Sequence, residues 1–245
     1  MKYKIVFSYD GSAFLGYAKQ PNLKTIQGEL EKNLSLILNE NIILSASGRT
    51  DKGVHALNQV ASFSTTKKIN DKDKFLHSIN KLLNEEIYVK KIVKVSDDFD
   101  ARFSARKKEY HYLINLGEFE PTLRKYQLTI SDKNFDINKF IEGSNLFLGK
   151  HNFINFCSKD EDKDGFIRTI YDFKVIKKRQ KLLIKISGDG FMRYEVRKII
   201  GTLIYYSLNK ITFDKIEYYL NETKKRDIVP FTASPIGLYL FKVYY

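Results

Sequence analysis

One carboxylate in this chain sits among residues that could put it to work. Asp51 lies in the run Gly48-Arg49-Thr50-Asp51-Lys52-Gly53-Val54-His55-Ala56. The two glycines allow positive φ or a close backbone approach on either side of it. Arg49 stands two residues before Asp51, and Lys52 follows it directly. Neighbouring cations favour the ionised carboxylate at neutral pH. An ionised aspartate on a loop between strands can act as a nucleophile or a base. The same residue type also serves turns by accepting hydrogen bonds from its own backbone. Both readings are open on chemistry alone.

Other catalytic patterns fall away. Gly11-Ser12-Ala13-Phe14-Leu15-Gly16 begins like a phosphate loop, but Tyr17-Ala18 stands where Lys-Ser/Thr is required. His55, His77, His111 and His151 are scattered without a metal-ligand spacing. The single cysteine, Cys157, can form no intrachain disulfide and no Cys-type zinc site. Asp160 to Asp164 is an acidic patch that reads as a solvated turn rather than a cation site.

The composition narrows the partners. The 245 residues carry 42 Lys+Arg against 29 Asp+Glu, a net charge of +13. Such an excess points to a polyanion such as nucleic acid, or to a lysine-rich surface set by genome composition. Lysine outnumbers arginine 33 to 9, so the positions of the few arginines are informative. A hydrophobic share of 43% is enough to bury a core. No apolar run approaches the roughly 18 residues of a membrane span, and no secretory signal is visible. The expectation is a cytoplasmic protein with no membrane partner.

The hydropathy pattern supplies the elements that must hold the loop. Strands are expected over Lys2–Tyr9, Ile42–Ser45, Val60–Thr65, Ile87–Val95, Tyr110–Leu116 and Leu238–Tyr244. Ile167–Ile176 and Leu182–Ser187 read as a hairpin turning at 177–180. Helices are expected after an N-cap at Thr25, around Phe75–Leu83, over Ile137–Phe147, over Phe191–Leu208 and over Phe213–Leu220. Strands and helices mix without strict alternation, which predicts an α+β fold with a largely antiparallel sheet. Two similar halves are expected: 1–105 as an N-terminal catalytic subdomain carrying the Asp51 loop, and 106–245 as a C-terminal subdomain completing the cleft.

Gly48 to Ala56 resembles the GRTDxGVHA signature of the TruA-type tRNA pseudouridine synthases at nine consecutive positions. The resemblance continues in order along nearly the whole chain. Tyr9-Asp10-Gly11-Ser12 with Phe14 and Gly16 is similar to the family's YDGxxxxG segment. Ala101-Arg102-Phe103-Ser104-Ala105 with Tyr110 and Tyr112 resembles its ARFSA…Y-x-Y stretch. Gly149-Lys150-His151-Asn152-Phe153, with Arg168 after it, resembles G-x-[HN]-[DN]-F. Phe191 to Gly201, with Val196-Arg197, resembles its F-[LV]-x-x-M-V-R helix, and Pro235 to Leu240 its GLYL strand.

The resemblance implies the pseudouridine synthase fold, a mixed and mostly antiparallel sheet flanked by helices in two similar subdomains. It implies isomerisation of uridine to pseudouridine in the anticodon stem-loop of tRNA, at positions 38, 39 and 40, by a homodimer. The reaction needs no cofactor and no metal. Asp51 would be the nucleophile, attacking base or sugar. Tyr110 would stack near the target uracil, and Arg197 would pair with Asp51. Arg49 would help extrude the target nucleotide. Six of the nine arginines (Arg49, Arg102, Arg106, Arg168, Arg193, Arg197) fall in or beside the matched segments, Arg168 among them as a substrate contact.

The pattern is not complete. Tyr17-Ala18 replaces the usual Trp-Gln, Asp100 a common His, and Lys108-Glu109 a frequent Arg. Tyr194-Glu195 occupies helix positions that are usually apolar, His or Met. These departures bear on substrate contacts rather than on presumed catalytic groups. Two rival readings are a non-catalytic tRNA binder on the same scaffold and an RNA glycosidase or nuclease. The second would need another catalytic carboxylate or a metal cluster.

Overall fold

The computed structural model describes residues 1–160 and 165–245. The acidic run expected to form a solvated turn falls largely at 161–164, outside the described residues. In chain order the elements are β1 (Lys2–Tyr9), α1 (Ile26–Leu38), β2 (Ser45–Ala46), β3 (His55–Ser64), α2 (Lys72–Leu82), β4 (Ile87–Val95), β5 (Lys107–Asn115), β6 (Leu128–Thr129), α3 (Ile137–Asn145), β7 (Gly149–Asn152), β8 (Ile167–Lys178), β9 (Lys181–Gly188), α4 (Glu195–Ser207), α5 (Phe213–Asn221) and β10 (Leu238–Tyr244). They fall into two compact units, Met1–Arg106 with Tyr239–Tyr245, and Lys107–Leu238. Within the two units the described pairings are mostly antiparallel, with β10 on β3 and β6 on β5 parallel, so the α+β class with a mixed sheet holds.

In the first unit, β1 pairs with both β3 and β4, antiparallel. Its alternation sends Tyr3, Ile5, Phe7 and Tyr9 into the core. Ile26, Leu30, Leu34 and Leu38 of α1, spaced at helical intervals, make the other wall. Thr25 caps that helix by accepting from Gly28 N, and Asn39 ends it in the left-handed region at φ 49°. Asp71 caps α2, which buries Phe75 and Ile79. The closing strand β10 runs parallel to β3, with Tyr239 opposite His55 and Leu240 opposite Ala56.

In the second unit, β9 lies between β5 and β8, with β7 on β8 and β6 on β5. The β8–β9 hairpin turns through Arg179 at φ 55°. Helix α4 is buried along Val196, Ile199, Ile200 and Leu203. It packs closely on α3: a Cβ on Gly143 would lie 2.8 Å from Leu203 Cδ2, so a larger residue there would require the Leu203 side chain to shift.

Three expectations change. The strand read over Ile42–Ser45 shrinks to Ser45–Ala46. Its backbone donors go to side chains instead, Ile42 N to Ser35 Oγ and Leu44 N to Glu31 Oε1. The strand read from Val60 begins five residues earlier, at His55, so the Asp51 loop runs almost directly into it. The long helix read from Phe191 begins at Glu195. Tyr194 sits at φ 68°, and Glu195 Oε2 folds back to accept from Met192 N at 2.8 Å. A helical pattern of apolar residues cannot reveal that reversal.

Candidate active site

Asp51 and Arg49 lie in the first unit, on the loop between β2 and β3. Arg49 is exposed and Asp51 half-buried. The carbonyl of Asp51 accepts from Val54 N at 3.1 Å, closing a tight turn that Gly53 completes at φ 83°. That is a conformation glycine adopts without penalty. Behind the turn, a Cβ on Gly11 would meet Val54 O at 1.9 Å. The two backbone segments therefore touch only because residue 11 has no side chain.

A buried polar network grips the upstream side of the loop. Gln59, on β3, is fully buried. Its Oε1 accepts from Ser47 Oγ at 2.7 Å and from its neighbour Val60 N at 3.1 Å. Its Nε2 donates to Gly48 O at 3.0 Å and reaches Tyr9 OH at 3.5 Å. The Tyr9 hydroxyl shares a 2.8 Å hydrogen bond with Thr50 Oγ1, one residue from Asp51. Thr50 O accepts from Tyr17 N at 3.1 Å. Burial pushes the Tyr9 phenol up to about 12, against the opposing hydrogen bonds from Thr50 and Gln59. It therefore stays protonated at neutral pH.

The downstream side is held by His55, at the start of β3. Its Nδ1 lies 3.2 Å from Gly11 N, which donates to it, and 3.2 Å from Asp10 Oδ1. Its ring stacks on Tyr239 with centroids 4.8 Å apart. Sequence reasoning named Tyr9, Asp10 and His55 only as parts of motifs and missed Gln59. The signal available was a long amide directly before an apolar pair in the strand, Gln59-Val60-Ala61.

Tyr110, Arg168 and Arg197 lie in the second unit. Tyr110 is nearly buried on β5, opposite Ile186 of β9, and its ring meets Phe191 edge-on at 5.4 Å. Phe191 reaches it from the segment ahead of α4. Arg197, in the first turn of α4, donates from Nε to Ala233 O at 2.9 Å and lies 5.1 Å from the Tyr194 ring centroid. A Cβ on Gly201 would lie 2.8 Å from Phe231 O, so the 231–233 segment can follow the helix closely. Tyr112 donates to Ser234 O at 2.7 Å. Burial raises its pKa above the ordinary phenol value, and the charge of Arg197 opposes that shift. Arg168, half-buried on β8, donates from Nη1 to the carbonyls of Ile167 and Gly165.

Each unit thus presents polar groups from a rigid frame. The family described as tRNA pseudouridine synthase matches residues 5–104 and 144–245. Over its full length the chain is 43% identical to the tRNA pseudouridine synthase A of Malacoplasma penetrans, covering 100% of both chains. It is 40% identical to the protein of that name from Thermosipho melanesiensis, over 99% of this chain and 98% of the relative. It is 39% identical to that of Mycoplasma genitalium, over 100% and 98%. A match of that length and identity puts the chain in the tRNA pseudouridine synthase family. As a pseudouridine synthase it is an isomerase, and the pseudouridine synthase fold expected from its motifs is the fold of its family.

Proposed function

We propose that this chain converts uridine to pseudouridine in the anticodon stem-loop of tRNA, at positions 38, 39 and 40, with Asp51 as nucleophile. The observation that carries the reading is the Asp51 turn, gripped upstream by Tyr9 and Gln59 and downstream by His55, in a chain of this family. The reaction breaks the bond from N1 to C1′, turns the base and joins C5 to C1′. C5 loses a proton and N1 gains one, so the product is an isomer, and neither oxidant nor phosphate donor enters.

The other assignments follow the family pattern. Arg197 keeps Asp51 ionised, and Tyr110 stacks near the target uracil. The exposed Arg49 takes part in extruding the nucleotide, because the target atoms lie inside a stacked stem. Arg168 contributes to holding the RNA. The reading includes a cytoplasmic homodimer that works without a cofactor. No helix among the described residues is long and apolar enough to cross a membrane.

The test is incubation with an unmodified tRNA transcript, followed by carbodiimide and primer-extension mapping. Pseudouridine in the anticodon stem-loop with the parent, and none with Asp51→Ala, is the expected result. Tight tRNA binding with no pseudouridine on any transcript would instead indicate a non-catalytic binder. With a net charge of +13, binding should weaken steeply between low and moderate salt in filter-binding titrations. Salt-independent affinity would remove the role given to the basic surface.

A further inference from the structure

Phe103 is 80% exposed, more than any other large hydrophobic residue among those described. A single apolar side chain at a surface is unremarkable by itself. The backbone beneath this one is not loose. Asp100 Oδ1 accepts from Arg102 N at 2.7 Å and from Phe103 N at 3.1 Å. Ser104 N donates to Asp100 O at 2.9 Å. Ala101, fully buried, donates to Ser62 Oγ at 3.1 Å and accepts from Tyr245 OH at 2.9 Å. Five hydrogen bonds across five residues therefore fix a turn whose most prominent side chain is an aromatic ring in water.

One cation sits over that ring. The Arg102 guanidinium lies 5.2 Å from its centroid. Next to the turn, Lys4 lies 5.3 Å from the Phe99 ring and 5.1 Å from the Tyr245 ring. Lys4 and Tyr245 also line a cavity of about 430 Å³, together with Asn58, Phe241 and Lys242. Two lysines, and no Asp or Glu side chain, are among its lining residues. Aromatic rings interleaved with cations suit a single-stranded nucleic acid: rings stack on bases and cations follow phosphates. A preordered ring binds with little further loss of conformational entropy.

We propose that Phe103, with Arg102, is a stacking platform for an unpaired nucleobase of the RNA substrate, and that the Lys4–Lys242 groove carries the adjoining phosphates. This rests on the reading of the chain as a tRNA-modifying enzyme and adds to it a contact apart from the Asp51 loop.

The chain contains no tryptophan, so Phe103→Trp places a single indole at the platform, excited selectively at wavelengths beyond tyrosine absorption. Titration with an unmodified tRNA transcript should quench its emission. Phe103→Ala and Phe103→Leu should each weaken tRNA binding by about tenfold with little change in kcat, and Phe103→Tyr should restore affinity. Lys242→Gln should lower the salt dependence of binding by about one counterion. Unchanged emission, with Phe103→Ala binding as the parent does while the parent makes pseudouridine, overturns the platform and leaves the functional reading standing. Quenching without any pseudouridine supports the platform and removes the enzyme reading. A blue shift that grows with protein concentration in the absence of RNA makes this surface a contact between copies, and also overturns the proposal.

Discussion

The two units hold the side chains proposed for the reaction by different means. In the first, Asp51 sits on a turn, and the geometry of that turn is imposed by side chains reaching in from elsewhere: Gln59, Tyr9 and His55. In the second, Tyr110 and Arg197 sit on regular elements, fixed by the β5–β9 register and the first turn of α4. A position set by a strand or helix is shared among many backbone hydrogen bonds. A position set by one amide is lost with that amide. The first unit should therefore be brittle at single residues where the second is tolerant.

The largest effect tests the premise. Asp51→Asn should lower kcat by at least about a thousandfold while tRNA affinity stays near the parent's. Robust turnover in that variant would falsify the nucleophile assignment. Gln59→Leu comes next. It leaves Ser47 Oγ and Gly48 O without their Gln59 partner, at a cost of about 1–3 kcal/mol for each orphaned buried group, while Tyr9 keeps its hydrogen bond with Thr50. We expect a clear fall in melting temperature and a kcat drop of about tenfold or more, with KM less affected. A stable, fully active Gln59→Leu enzyme would show that the network does not position the turn.

The counterpart in the second unit is Ile186→Val, opposite Tyr110. This conservative core change should cost about 0.5–1.5 kcal/mol in denaturant unfolding and leave kcat within about twofold. A kcat loss matching that of Gln59→Leu would erase the contrast between the units. The smallest effect concerns acid. Desolvation tends to raise the pKa of Asp100, but hydrogen bonds from Ser45, Phe103 and Arg102 outweigh it and leave the carboxyl below its ordinary value. Because the folded value is depressed, its stabilisation is fully present above the unfolded value of 3.8 and is lost as pH falls through the lower folded one. The melting-temperature gap between parent and Asp100→Asn should close at that acidic end. A gap constant with pH would mean the charge contributes nothing.

What the sequence made legible follows the same division. Periodic elements were readable: β1, β4 and α1 appear where alternation and the Thr25 cap put them, because burial on one face leaves a repeating pattern. The GRTD run was readable because its residue types are themselves the chemistry. The start of α4 was not, since Glu195 accepting from Met192 N is a local hydrogen bond with no period. The role of Gln59 was hidden for a related reason. Its partners Ser47 and Tyr9 lie 12 and 50 residues away, and no pattern in a strand of ten residues reports contacts at that range.

The parallel pairing of β10 with β3 bears on how the molecule is made. Tyr239 supplies the ring on which His55 stacks, yet 132 residues of the second unit, Lys107–Leu238, lie between residue 106 and that strand. At roughly 5–20 residues per second, a ribosome spends about 7–26 s on that stretch. Throughout that interval the edge of β3 at His55 and Ala56 is open to any other strand that passes. A nascent chain stalled anywhere in the second unit therefore carries the Asp51 loop without the Tyr239 ring, and the frame of that loop closes only after Leu238–Tyr244 has been made.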